Sequence, residues 1–297
     1  MACYRPIIGY KPLDGGALSF VEKKDCRTIK ISCGQCIGCR IARQEMWAVR
    51  CYAESKMHKR SVFVTMTYNE EHFPYGGSLN YKHVQLFLHR LRKAEGPFRY
   101  FVCGEYGEQL GRPHYHALLF GMDFDDKRKC NSVRSVQDVY KSERLERLWG
   151  KGFCSIGEVT YASARYCASY CISVVTGDVA ADHYSKLNLD TGELFYLTPE
   201  FARMSLRPGI GALWLEKYWR DLYMSKANAV IVNGSKKRIP RYFNERMREQ
   251  MPEVMENFDW EQEKRALLQW EDSTPERLRS REEVAKAKFN FIKESKI

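Results

Sequence analysis

The chain has 297 residues, of which 44% are hydrophobic and 13% are aromatic. This composition supplies the apolar side chains of a packed core and excludes an intrinsically disordered protein. No apolar run approaches the roughly 20 residues of a transmembrane helix, and the first residues lack the apolar stretch of a signal peptide. We therefore expect a cytoplasmic protein with no membrane partner.

The excess positive charge lies in the first 240 residues. The chain has 48 Lys+Arg and 37 Asp+Glu, a formal net charge of +11 at pH 7. Residues 241–297 hold 12 basic and 13 acidic side chains, which leaves 36 and 24 for residues 1–240. Such a surplus is typical of proteins that bind a polyanion, because neutralised phosphates release counterions; solubility alone is the other interpretation.

The eleven cysteines include one regular cluster. An odd number does not fit a secreted disulfide framework. Cys33, Cys36 and Cys39 are spaced C-x2-C-x2-C with intervening glycines, which predicts a structural zinc site. The candidates for the fourth ligand are Cys3, our choice, and then Cys26 and Cys51. Reduced thiols without a metal and part of an iron–sulfur cluster are the alternatives.

Hydrophobic periodicity predicts alternating helices and strands up to Gly177. The predicted elements are a helix at 40–57, a strand at 61–68, a helix from the N-cap Asn80 to 94, strands at 98–104 and 113–120, a helix ending near Trp149, a strand at 153–159 and a helix at 161–175. The short turn between strands 98–104 and 113–120 favours an antiparallel hairpin. This order predicts an α+β fold with a central antiparallel sheet and flanking helices.

The pattern is looser beyond Gly177. A turn-rich joint at 206–211 precedes a helix that contains Trp214 and Tyr218, and residues 230–238 predict a hairpin with a basic return strand. From Tyr242 onward the chain is charged and balanced in sign, which predicts one or two solvated helices.

His114 and His116 are two apart in a predicted strand, so both imidazoles lie on one face and Tyr115 on the other. Two imidazoles form half of a divalent metal site. Glu105 ends the partner strand, where a hairpin brings its carboxylate beside them; Glu108 is a less favoured rival in the turn. The alternative is a pair of histidines on a solvent-facing strand.

Tyr166 and Tyr170 are four apart in a predicted helix and therefore lie on one face. A metal that polarises a phosphodiester needs a nucleophile, and a phenol can supply it. Two core aromatics on an amphipathic helix are the alternative interpretation.

These motifs together resemble those of HUH endonucleases, which initiate rolling-circle replication. The resemblance rests on Phe63–Tyr68, Gly104–Gly107, Arg112–Gly121 and the paired tyrosines, in that order. It extends to the replication initiators of gokushovirus-type single-stranded DNA phages of the Microviridae. The segments that carry this extension are Cys33–Arg40, Trp47–Arg50, Pro208–Gly211 and Pro240–Tyr242.

The resemblance implies an HUH or RRM-like core in which Glu105, His114 and His116 bind Mg²⁺ or Mn²⁺. Tyr166 and Tyr170 would act as alternating nucleophiles on single-stranded origin DNA. One tyrosine would form a 5′-phosphotyrosine link and leave a 3′-OH primer, and the second would cleave the regenerated origin so that the strand is rejoined. A relaxase or transposase with this chemistry, and a non-catalytic zinc-containing single-strand binder or regulator, are the alternatives.

Arg112 and Arg165 are the candidate DNA-binding residues. Relatives usually carry lysines shortly after the second tyrosine, but here none stands at 171–175, and Arg165 or Lys186 is the possible replacement. The sequence has no Walker-type phosphate loop, so we expect a host helicase and polymerase as partners. The expected regions are the Cys-rich element and basic helix (1–58), the nuclease core (59–177), the joint, helix and basic hairpin (178–240) and the charged helical tail (241–297).

Overall fold

The computed structural model describes residues 3–107, 110–130, 138–170, 174–175, 177–188, 191–225, 227–268 and 271–294. The chain forms two compact units, one of residues 1–43 and 245–297 and one of residues 44–244. The four-part division expected from the sequence is finer than this one and stays a prediction. No helix in the described ranges combines the length and apolar composition that crossing a membrane requires.

Strands and helices both contribute to the larger and the smaller unit. The strands are β1 (Ile7–Pro12), β2 (Cys26–Ile31), β3 (Ser61–Thr67), β4 (Arg99–Tyr106), β5 (Pro113–Phe120), β6 (Arg128–Cys130), β7 (Val139–Lys141), β8 (Cys154–Glu158), β9 (Ser185–Leu187), β10 (Leu194–Tyr196), β11 (Phe201–Met204), β12 (Val230–Val232) and β13 (Ser235–Lys237). The helices are α1 (Ile37–Ser55), α2 (Tyr81–Glu95), α3 (Glu143–Trp149), α4 (Tyr161–Ser169), α5 (Ala180–Tyr184), α6 (Ala212–Tyr223), α7 (Arg241–Gln250), α8 (Pro252–Leu268) and α9 (Pro275–Glu294).

A seven-stranded antiparallel sheet in the order β11-β4-β5-β3-β8-β7-β6 is the centre of the larger unit. The predicted hairpin of β4 and β5 is confirmed, with Glu105 opposite His114 and Cys103 opposite His116. The expected antiparallel sheet with flanking helices is therefore confirmed.

Period-2 alternation gives this sheet two apolar faces. On one face, side chains such as Val64 and Tyr115 pack in a core with Phe87 of α2 and Trp149 of α3. Asn80 begins α2 as predicted, since its side chain accepts a hydrogen bond from the Lys82 N–H. On the other face a separate apolar cluster includes the following side chains of β4, β5, α1 and α4: Phe101, Leu118, Phe120, Cys51, Ala164 and Cys167.

Three of the segments that carry the resemblance meet in the larger unit. The Arg50 guanidinium lies between the rings of Trp47 (4.2 Å) and Tyr242 (4.0 Å), and its Nε donates to the Ile210 carbonyl (3.0 Å). A Cβ on Gly209 would lie 2.4 Å from the Tyr242 hydroxyl, so only glycine permits this close approach. These contacts hold the 206–211 joint against α1.

Glu54, one turn further along α1, fixes the same joint. Its carboxylate is buried and accepts hydrogen bonds from the Gly211 N–H (2.6 Å) and from Arg99 and His58. Burial alone would raise its pKa, but these three donors hold the pKa of Glu54 below its usual value.

Several sequence predictions are wrong in extent. The helix expected at 161–175 ends at Ser169, and Val174 and Val175 are not helical, in keeping with the low helix propensity of β-branched residues. The charged tail forms three helices in its described part, because Pro252 and Pro275 each begin a new one. The sequence also missed strands of three or four residues, such as β11, and the hairpin of β1 and β2.

Candidate active site

Glu105 and His116 form the centre of the candidate site on the sheet face that α4 covers. His116 is 4% exposed and Glu105 is 8% exposed. His116 donates from Nε2 to Oε1 of Glu105 over 2.7 Å. Its Nδ1 lies 3.0 Å from the Thr65 hydroxyl, which can donate or accept and so serves either tautomer of the ring.

His114 lies opposite Glu105 in the register of the hairpin. Its Nδ1 donates to the Arg112 carbonyl (2.7 Å), which leaves Nε2 as the nitrogen able to bind a metal. Burial lowers the pKa of His114, so the neutral imidazole that a metal requires is favoured. Gly107 provides room for this ring, since a Cβ there would lie 3.0 Å from His114 Cε1.

The structure brings Glu105 and His116 together more closely than it brings His114 to either. In the described part of the chain, the only group of three or more His, Cys, Asp or Glu side chains with donor atoms all within 4.8 Å is a cysteine cluster. His114 must therefore turn toward the Glu105–His116 pair for all three to share one ion.

Tyr166 and Tyr170 both lie against His116. The ring centroid of each lies 5.2 Å from that of the imidazole, with Tyr170 stacked at 9° and Tyr166 edge-on at 77°. The two phenol rings are 5.2 Å apart. The α4 helix holds this arrangement through a capping box between Thr160 and Ser163.

The environment keeps both phenols protonated. Burial raises the pKa of Tyr166. Burial and the Glu105 carboxylate together raise the pKa of Tyr170 further. Tyr166 is 43% exposed, so one of the two candidate nucleophiles is open to a substrate from solvent.

The two predicted DNA-binding arginines lie on different elements. Arg112 pairs with Glu70 (2.7 Å) and lies over the Phe73 ring (4.6 Å), beside the loop that follows β3. Arg165 is exposed on α4 next to Tyr166. Lys186, the other possible cation, lies in β9, and residues 171–173 are outside the described ranges.

The smaller unit contains the cysteine cluster. The sulfur atoms of Cys3, Cys33, Cys36 and Cys39 all lie within 4.8 Å of one another. The Cys33–Cys39 and Cys3–Cys36 sulfur separations are 4.0 and 3.9 Å, close to the roughly 3.8 Å edge of a tetrahedron with Zn–S bonds of about 2.3 Å. The group can hold a metal ion such as zinc.

Backbone donors already point at these sulfurs. The N–H of Cys33 donates to Cys3 Sγ (3.2 Å) and that of Tyr4 to Cys36 Sγ (3.3 Å). Burial alone would raise the pKa of Cys36, but backbone and thiol hydrogen bonds lower it to about 7, toward the thiolate that a metal binds. The other two candidates for fourth ligand lie elsewhere: Cys51 in the core of the larger unit and Cys26 at the start of β2.

Sequence reasoning missed Thr65 as a partner of His116. The signal was available, because alternation along β3 places Thr65 on the same face as Phe63. What the sequence did not show is the register that sets Thr65 opposite His116.

The chain is similar to known phage proteins. A family model for the replication-associated protein ORF2 matches residues 61–173. Replication-associated protein VP4 of Bdellovibrio phage phiMH2K is 31% identical over 271 residues, covering 87% of this chain and 81% of the relative. Replication-associated protein ORF2 of Spiroplasma virus 4 is 30% identical, covering 83% and 80%. Replication-associated protein ORF4 of Chlamydia phage 1 is 26% identical, covering 78% and 56%. The comparison with solved structures finds no match.

Proposed function

Because the chain belongs to the family of phage replication-associated proteins of the gokushovirus type, we propose that it initiates rolling-circle replication by nicking and rejoining single-stranded DNA at the viral origin. The observation that carries the proposal is the placement of Tyr166 and Tyr170 against His116, which is itself bonded to Glu105. The larger unit would then be an HUH-type nuclease, with helices on both faces of its antiparallel sheet.

The donor set fits a Mg²⁺ or Mn²⁺ ion. Glu105 Oε1, His116 Nε2 and His114 Nε2 are one carboxylate oxygen and two imidazole nitrogens, a set that divalent first-row metals accept. The Thr65 hydroxyl and the Arg112 carbonyl fix the second nitrogens of the two rings, as the outer partners of metal-binding histidines do. When bound, the metal would offset the charge that develops on the non-bridging oxygens of the scissile phosphate.

The reaction would be a transesterification that conserves the phosphodiester. The phenol oxygen of Tyr166 or Tyr170 forms a bond to phosphorus, and the bond from phosphorus to the 3′ oxygen breaks. The phenol proton is lost and the departing 3′ oxygen gains a proton, so no energy source is consumed. Religation is the reverse reaction with a new 3′-OH, and two adjacent tyrosines permit cleavage and rejoining in turn.

Three further assignments belong to this proposal. Arg165 beside Tyr166, and Arg112 beside the loop after β3, would hold DNA phosphates. The cysteine group would hold a structural zinc. A host helicase and polymerase would open and copy the strand.

Covalent capture tests the proposal. The purified chain is incubated with single-stranded origin DNA and Mn²⁺, and the adduct is resolved by denaturing electrophoresis. We expect an adduct that is lost in the Tyr166→Phe, Tyr170→Phe double variant. Tyr75→Phe is the matched control, because Tyr75 is 72% exposed and lies outside the site, and it should retain the adduct.

The same assay separates the alternatives. DNA binding with no adduct at any metal concentration would overturn the proposal and favour a non-catalytic single-strand binder. An adduct on other DNA but none on the origin of the encoding replicon would indicate a relaxase or transposase.

A further inference from the structure

A cleft in the smaller unit lies along one face of α9. It has a volume of about 320 Å³ and is lined by Tyr4, Arg277, Ser280, Arg281, Val284, Ala285 and Lys288. The α9 members recur at spacings of three and four, so they form one continuous stripe on the helix. The volume is at the lower end of the roughly 300–1,000 Å³ typical of small-ligand sites.

The lining of this cleft is basic. It includes Arg277, Arg281 and Lys288 and no acidic side chain. Asp272 pairs with Arg277 (3.0 Å) and accepts from Arg281 through its carbonyl (2.9 Å), which offsets one charge and orients both guanidinium groups. Glu282 of the same helix pairs instead with Arg5 (2.9 Å). The cleft therefore favours an anionic ligand.

Tyr4 adds an aromatic surface to these cations. Its backbone N–H donates to Cys36 Sγ (3.3 Å), so the cysteine cluster fixes the position of the residue. Cations together with an aromatic ring are the combination that binds single-stranded nucleic acid, because the cations hold phosphates and the ring stacks on a base. Val284 and Ala285 supply apolar surface in the same cleft.

We propose that this cleft binds a nucleotide of single-stranded DNA, with its phosphate held by Arg277, Arg281 and Lys288 and its base against Tyr4. The smaller unit would thereby give the protein a DNA subsite that includes none of the residues of the candidate active site. The choice of DNA as the occupant rests on the proposed function.

The experiment compares two double variants with the same change in net charge. Arg277→Gln, Lys288→Gln removes two cations of the cleft. Arg279→Gln, Lys286→Gln removes two exposed cations of α9 that do not line the cleft. Both are made in the full chain that already carries Tyr166→Phe and Tyr170→Phe, and binding of a labelled oligo-dT is measured by fluorescence anisotropy without divalent metal. Zinc content and circular dichroism verify that each variant is folded.

We expect the cleft variant to bind about tenfold more weakly at about 50 mM salt, and its salt dependence to fall by about 0.7 for each lost phosphate contact. The control variant should bind like its parent. Equal affinity of the two variants, whether weakened or not, would overturn the proposal.

A second pair of variants tests the stacking contact. Tyr4→Leu should weaken binding severalfold and Tyr4→Phe should not, since only the first removes the aromatic ring. Equal binding by these two would overturn the assignment of the base to Tyr4. None of these readouts uses strand cleavage, so the proposal about the cleft and the proposed nuclease activity can fail independently.

Discussion

Replacing Thr65 by Val should weaken metal binding at the candidate active site. Thr65 is the hydrogen-bond partner of His116 Nδ1 at 3.0 Å, and His116 is only 4% exposed, so water does not readily replace the hydroxyl. Leaving a buried polar atom without a partner costs about 1–3 kcal/mol. Since about 1.4 kcal/mol is tenfold in an equilibrium constant, and loss of such an outer partner typically costs about 10–100-fold in metal affinity, we expect a loss in that range.

The assay is a titration of Mn²⁺ followed by electron paramagnetic resonance of the free ion. Valine is close to threonine in shape and lacks the hydroxyl, so the sheet should be retained. Thr65→Ser keeps a hydroxyl at the same position and should restore most of the affinity. Unchanged Mn²⁺ affinity in Thr65→Val would refute the reasoning that Thr65 orients His116 as a ligand.

Three other outcomes are expected. Each single variant, Tyr166→Phe or Tyr170→Phe, should still form an adduct with origin DNA but fail to complete the cycle of cleavage and rejoining; full turnover by either one would exclude alternating nucleophiles. Glu54→Gln should lower the free energy of unfolding by about 3 kcal/mol, as breaking a buried ion pair does. Because the pKa of Glu54 is lowered in the folded state, its stabilising contribution should persist above the ordinary carboxyl pKa and be lost as pH falls below it, and chemical denaturation of the variant should lack this component. Cys36→Ser should reduce bound zinc well below one equivalent by elemental analysis, and full zinc occupancy would contradict the assignment of that ligand.

Local pattern was sufficient to predict the elements that build the candidate site. Asn80 as an N-cap, the hairpin of β4 and β5, and the alternation of His114 and His116 are all encoded within a few residues of sequence. Each of these depends on interactions between near neighbours along the chain, which sequence patterns report well.

Contacts between distant segments were not predictable in this way. The stacking of Arg50 between Trp47 and Tyr242 joins residues almost 200 positions apart, and the motif resemblance marked all three without showing that they meet. The position of Cys3 beside the C-x2-C-x2-C cluster is a similar case, since spacing alone left Cys26 equally possible. Tertiary packing decides such contacts.

The most direct test of the central claim is to identify the amino acid that carries the DNA. The adduct formed with origin DNA and Mn²⁺ is digested with nuclease and trypsin, and the modified peptide is sequenced by mass spectrometry. Cleavage after Arg165 and Lys186 yields the peptide 166–186, which contains both candidate tyrosines as well as Tyr184. We predict a 5′-linked nucleotide on Tyr166 or Tyr170. A nucleotide on Tyr184 or on any other residue, or a 3′ linkage, would contradict the account.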